Sequence, residues 1–220
     1  MIWSSLELSL LVVSCATVIV AALGLSLAFL LAKFEFRGKE LLDAILTMPL
    51  VLPPTVTGYY LIILLGRRGF IGGFIYDLTG WTFVFTWQGA VIAAVVVALP
   101  LMIKASRASI ESVNPSYEIA SYTLGKSRLE TFFYVVLPLA RRGIIAGIVL
   151  SFARALGEFG ATLMIAGNIP GKTQTMPLAI YEAVASGDER QAQILALILT
   201  SISILAVYLT NKISRSIIYG

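Results

Sequence analysis

The chain contains no histidine and one cysteine, Cys15, in 220 residues. With no histidine and a lone thiol, no Cys/His cluster is available to hold a transition metal. No disulfide framework can form within the chain. Charge is also scarce: 13% of residues are charged against 58% hydrophobic, and mean hydropathy is +0.91. That composition excludes an ordinary soluble domain and leaves no room in the loops for a separate one, so a single domain over residues 1–220 is expected. The N-terminus lacks a basic flank, and its apolar run is too long for a signal-peptide core, which predicts a retained span. A nucleotide loop is missing too. Gly167-Asn-Ile-Pro-Gly171-Lys172-Thr173 has three residues between its glycines where a phosphate-cradling loop needs four, and it follows no strand. The chain is not expected to bind ATP or any other cofactor itself.

What is present is a set of long apolar runs. Five are long enough for the roughly 20 helical residues a bilayer core requires: Leu6–Ala32, Leu41–Leu65, Trp87–Ile103, Leu139–Ile165 and Ile194–Ile213. The reading is an all-α polytopic membrane protein with five transmembrane helices. The second run carries Pro49, Pro53, Pro54 and Gly58, which predicts a kink or break near its middle. Backbone groups freed there must be buried in protein or face water.

The net charge of +4 is better read through topology than as a nucleic-acid signal. Loops on one side hold Lys33, Arg37, Lys39, Lys104, Arg107, Lys126, Arg128, Arg141, Arg142, Lys212 and Arg215; those on the other hold Arg67, Arg68, Lys172 and Arg190. This excess puts the N-terminus outside and the C-terminus in the cytoplasm. Trp3, Trp81 and Trp87 then fall near the outer interface, where indole rings favour the headgroup region.

Between the third and fourth runs lies a polar insert, residues 114–138, on the cytoplasmic side. It reads as two short helices. Asn114 caps the first, with Pro115 at its first position and Gly125 ending it in a left-handed conformation. Ser127 and Glu130 have the spacing of a capping box for the second, and Pro138 marks the turn into the fourth span. Ala120, Ser121 and Leu124 are helical neighbours, and the small residues there would let a partner approach the backbone. An insert of this kind either docks on a cytoplasmic partner or lies on the membrane surface.

Arg154 and Glu158 stand four residues apart in the fourth span, on one face of the helix. Charges at that depth pair or line a polar path; the pair is read either as a lock on helix packing or as a pathway or gate element. Gly157 and Gly160, with Ala153 and Ala161, supply the small surface of a close helix crossing. Arg67 and Arg68 violate the positive-inside trend, as a docking site for an acidic partner surface, as a weak attractor for anions or as an ordinary solvated loop. The segment from Thr175 to Gly187 reads as a short outer or re-entrant helix.

The insert resembles the EAA loop of ABC importer permeases. Gly125, an apolar Val135 ten positions on, and Leu137-Pro138 fall in its register; Ile119-Ala120-Ser121 match the Glu-Ala-Ala positions, with the acid one place earlier at Glu118. Leu50-Val-Leu-Pro-Pro54, Gly66-Arg-Arg-Gly-Phe-Ile-Gly72, Phe152-Ala-Arg-Ala-Leu-Gly-Glu-Phe-Gly-Ala161 and Asn168-Ile-Pro-Gly171 extend the resemblance to the permease subunits of molybdate importers, from Leu6 to Arg215. Leu-Pro-Pro and Gly-Glu-Phe-Gly are shared with sulfate and tungstate permeases; the Gly-Arg-Arg-Gly outer loop is the more particular match. The resemblance implies a type I importer permease of a prokaryotic inner membrane. It implies a homodimer above two ATP-binding subunits, which use ATP and Mg, and below an extracytoplasmic molybdate-binding protein. It also implies an ATPase-coupling set of Tyr117, Glu118, Ile119, Ala120, Ser121, Leu124 and Gly125. Arg154, Glu158, Gly157 and Gly160 are the candidates for the pathway or gate. Arg67, Arg68, Asn168 and Lys172 are the candidates for docking the binding protein. The rivals are a secondary anion carrier, disfavoured by the lack of histidine, of an inverted repeat and of more than one intramembrane acid, and a membrane scaffold recruiting some other protein.

Overall fold

The computed structural model describes the backbone of residues 2–219 and the side chains of residues 2–208 and 212. Arg215, counted above for orientation, lies outside the described side chains. Every regular element among the described residues is helical. α1 (Ile2–Lys33) is followed by α2 (Lys39–Val51), α3 (Pro54–Leu65), α4 (Phe70–Thr79) and α5 (Trp87–Glu111). The insert forms α6 (Pro115–Thr123) and α7 (Arg128–Thr131), and a π-helical turn, Phe132–Val136, leads into α8 (Leu137–Leu156). α9 (Gly160–Ala166), α10 (Met176–Ala185) and α11 (Glu189–Tyr219) complete the chain.

α5 is the central helix, because its sequence gives it small residues to bury. Ala90, Ala93, Ala94, Val97 and Ala98 are all at most 1% exposed, and α1, α8 and α9 pack against it. Among apolar helices in lipid, contact is driven by close packing and interhelical hydrogen bonds rather than by escape from water. α1 accordingly meets α5 through Gly24, where an added Cβ would lie 2.5 Å from Met102 Cγ, and α8 meets it through Gly147, 3.1 Å from Met102 Sδ. Ser151 Oγ on α8 donates to the Ala98 carbonyl at 3.3 Å, a bond of a type that contributes about 0.6 kcal/mol.

Among the described residues, four helices are each long and apolar enough to cross a bilayer, where five were expected: Ile2–Lys33, Trp87–Glu111, Arg128–Leu156 and Glu189–Tyr208. The second expected span divides into α2 and α3, as its prolines predict. Leu52 is extended (φ −72°, ψ 142°) ahead of Pro53, and Pro54 starts α3, because a residue before proline is pushed out of the helical region. The fourth span also breaks, which the sequence reading did not anticipate. α8 stops at Leu156, and α9 starts at Gly160 after a three-residue interruption. Pro138 likewise does not turn the chain, since helix continues through it. A proline ring collides with the carbonyl four residues back, and the wider π-helical turn just before it gives that carbonyl room. α4, finally, occupies a stretch read only as loop.

The second halves of the two broken spans, α3 and α9, pack on each other. A Cβ on Gly58 of α3 would lie 2.6 Å from Met164 Cβ and 2.8 Å from Ala161 Cα, and one on Gly160 would lie 2.9 Å from Pro54 Cβ. Because backbone rather than a mobile side chain blocks the space, Gly58→Ala is expected to wedge α3 from α9 and cost about 1–3 kcal/mol. A lowered thermal midpoint of the detergent-purified protein checks this; an unchanged midpoint would show that the seam yields freely.

Candidate functional site: a coupling surface, a charged helix break and an outer cavity

The insert is built by its own local chemistry. Asn114 Oδ1 accepts from the Ser116 N–H at 3.0 Å, filling one of the unpaired donors that open every helix. Gly125, at φ +80°, closes α6, with its N–H donated to the Tyr122 carbonyl and that of Lys126 to the Ser121 carbonyl. The capping box is complete, with the Ser127 N–H to Glu130 Oε2 at 2.8 Å and the Glu130 N–H to Ser127 Oγ at 3.3 Å. The Glu130 carboxylate also accepts from the Lys126 ammonium at 3.1 Å. Glu130 precedes the apolar part of its helix and lies in the polar insert.

The coupling candidates divide by face. Tyr117, Ile119 and Leu124 are 56%, 61% and 82% exposed, and Ala120 and Gly125 are exposed beside them. This is a mainly apolar face on an otherwise polar insert. Ser121 and Glu118 point the other way. Ser121 is buried, its hydroxyl 2.9 Å from Thr131 Oγ1, so it ties α6 to α7 instead of leaving space for a partner. Glu118 pairs with Lys33 at 2.5 Å. Beneath them lies a cavity of about 180 Å³ walled in part by Phe29, Phe34, Arg128 and Phe132.

Arg154 and Glu158 do meet, with Nη1 and Oε2 2.8 Å apart, but not on a continuous helix. Arg154 ends α8, whereas Glu158 sits in the interruption, where its Oε1 accepts from the Ala161 N–H at 2.8 Å. The carboxylate therefore has two roles, pairing the arginine and capping α9, where a negative charge is favoured. Its side chain is 2% exposed against 29% for Arg154. Gly157 is exposed at the break, and Gly160 is buried against α3.

Of the binding-protein docking candidates, Arg67 and Lys172 line one cavity of about 820 Å³, together with Ile62, Trp81 and Phe85. Arg68 and Asn168 are not among its lining residues. Arg67 also stacks over the Tyr76 ring at 4.9 Å, and Asn168 Nδ2 donates to Glu182 Oε2 at 2.5 Å. Phe85 adopts φ 61°, with its N–H donated to the Ile165 carbonyl; a side chain in this region stores about 1–3 kcal/mol of strain. The glycine-rich loop behind Lys172 folds on itself. Thr173 Oγ1 accepts from the Ile169 N–H and donates to the Gly167 carbonyl.

Two residues that matter here escaped the sequence reading. Lys33 was counted only for orientation; its partner is 85 positions away, and no local signal marks it. Asp43 on α2 binds Lys104 at 3.0 Å and Arg107 at 3.2 Å on α5, holding the first half of the broken span.

Helices that cross a bilayer, two of them interrupted and packed at their breaks, and a capped polar insert with an exposed apolar face define the class: a multi-pass transport protein. The chain belongs to the family of binding-protein-dependent transport system inner membrane components, whose profile matches residues 21–218, and it is accordingly a multi-pass inner-membrane protein. It is similar to the molybdenum transport system permease protein ModB of Escherichia coli (strain K12), 45% identical over 97% of this chain and 93% of that protein. It is also similar to the sulfate transport system permease protein CysT of Salmonella typhimurium, 35% identical over 94% of this chain and 74% of that one. In fold it resembles a bacterial alginate ABC transporter solved in complex with an alginate pentasaccharide-bound periplasmic protein. That likeness has a TM-score of 0.80 at 14% identity and covers 97% of this chain and 78% of the other; it bears on the fold alone.

Proposed function

We propose that this chain is the permease subunit of an ATP-driven importer for molybdate, in which two copies form one pathway at their interface. The observation that carries this reading is the 45% identity to a molybdenum transport permease across 97% of the chain, with the EAA-type insert inside the matched length. The whole chain acts as one permease domain, with its N-terminus outside and its C-terminus and insert in the cytoplasm. The exposed face of Tyr117, Ile119, Ala120, Leu124 and Gly125 docks in a cleft of an ATP-binding subunit, which uses ATP and Mg. A molybdate-binding protein docks outside, near Arg67, Arg68, Asn168 and Lys172. Closure of the ATP-binding subunits pulls on α6 and opens the outer side, and hydrolysis resets the inward-facing state.

The break at Gly157–Gly160 is the gate element on this reading. Arg154 supplies positive potential that Glu158 largely compensates, so the path attracts a dianion without trapping it. Sulfate is the second reading, supported by the lower identity to the sulfate permease. Uptake into proteoliposomes holding the chain and its ATP-binding subunit, with the binding protein added outside, separates them. Molybdate uptake should require ATP and exceed sulfate uptake at least tenfold (about 1.4 kcal/mol of discrimination). Preferential sulfate uptake would move the assignment to the second reading, and uptake by the chain alone would overturn both.

A further inference from the structure

The mechanism above leaves one half-buried ion pair without a task. Lys33 is the last residue of α1, and its ammonium reaches Glu118, the acid of the insert, with the two side chains 22% and 13% exposed. Elsewhere α6 packs on α7 and the π-helical turn, its own neighbours along the chain. The pair is thus a direct tie from α6 to a helix that crosses the membrane. Partial burial makes it stronger than an exposed pair, since less water screens it.

Aromatic contacts reinforce the same junction. The Phe29 ring lies 4.2 Å from that of Phe132 and 5.8 Å, edge-on, from that of Phe34. The Arg128 guanidinium stacks over Phe34 at 5.7 Å. The end of α1 and the base of the insert therefore share one packed cluster, with the ion pair at its rim. Such an arrangement transmits displacement: a force on α6 reaches α1 through charge and ring contacts as well as through the short 112–114 link.

We propose that Lys33 is a positioning residue which, through Glu118, clamps α6 to the cytoplasmic end of α1, so that the insert and α1 move as one body during each ATP cycle. This rests on the importer reading above. On this view Glu118 acts within the subunit, and partner contact belongs to the exposed apolar face. Mobility of α6 relative to α1 would let the ATP-binding subunits close without moving the pathway.

Two sets of variants test the clamp, in proteoliposomes holding the chain with its ATP-binding subunit and binding protein, and with labelled molybdate as the probe. Lys33→Met should co-purify with the ATP-binding subunit at unchanged stoichiometry, yet move about tenfold less molybdate per ATP, within the range of ordinary coupling between sites. The exchanged pair Lys33→Glu with Glu118→Lys should recover most of that loss. In a Cys15→Ser background, Lys33→Cys with Glu118→Cys, bridged by a short bifunctional thiol reagent, should transport at least as well as before bridging. An exchanged pair no better than Lys33→Met would show that Glu118 serves another group, and loss of uptake on bridging would show that the two elements must part; either overturns the clamp. If native assemblies show no ATP-dependent uptake, the importer reading itself fails. Native uptake with Lys33→Met unaffected removes the clamp alone.

Discussion

Gly125→Val is expected to separate ATP hydrolysis from transport while leaving the membrane helices intact. Gly125 sits at φ +80° with no atom within 4 Å of the place a Cβ would take, so the obstacle is backbone conformation rather than collision. A β-branched residue in that region costs about 1–3 kcal/mol. The chain relieves it by unwinding the last turn of α6, where the Lys126 N–H meets the Ser121 carbonyl. Leu124, 82% exposed, then leaves its position. Stimulation of ATPase activity by loaded binding protein should fall at least tenfold, about 1.4 kcal/mol of lost coupling. The thermal midpoint of the purified permease should not change, because α6 itself buries Ser121 and no apolar side chain. Gly125→Asn should be much milder, since asparagine enters the left-handed region more readily. Normal stimulation in Gly125→Val would remove α6 as the coupling element.

The second large effect is expected at the broken fourth span. Arg154→Ala leaves a carboxylate 2% exposed, with the Ala161 N–H as its remaining partner. Removing one partner of a buried pair costs about 3–5 kcal/mol; because Arg154 is itself 29% exposed, about 2 kcal/mol is expected. Adding Glu158→Gln should restore most of the stability, since glutamine can still accept from the Ala161 N–H while carrying no charge. A double-mutant cycle over the four forms measures the coupling, and uptake in the restored double variant separates the two roles of the pair. Normal molybdate uptake there identifies a packing lock; uptake that stays low identifies a gate. Unaltered stability and uptake in Arg154→Ala would reject both.

Where short-range chemistry fixes the fold, the sequence was legible. Asn114 before Pro115, Gly125, and Ser127 with Glu130 each act within a few residues, and the structure has all of those caps in place. Pro53-Pro54 announced the first helix break for the same reason. The second break was hidden. Residues 139–165 read as one apolar run, and a four-residue spacing of Arg154 and Glu158 fits a continuous helix as well as it fits an acid capping the next one. Glu158 just before Gly160 was the available signal. Pro138 misled in the opposite direction, because its cost is absorbed by the π-helical turn before it, which no residue pattern marks. Lys33 with Glu118, and Asp43 with Lys104 and Arg107, could not be read at all. These partners are 85, 61 and 64 residues apart, and such pairings exist only once the helices have packed. The split of the insert into an exposed apolar face and an inward Glu118–Ser121 face is likewise a product of packing.

The central claim is that this chain moves its substrate only together with an ATP-hydrolysing partner seated on the insert. Affinity purification of the tagged chain from its native membrane, with mass spectrometry of what remains bound, tests this most directly. The account predicts a P-loop ATPase subunit retained in equal stoichiometry with the permease, and lost when Leu124 and Tyr117 are both replaced by aspartate. A chain that purifies without an ATPase, and by itself carries an anion into liposomes down an ion gradient, would contradict it and make the protein a secondary carrier.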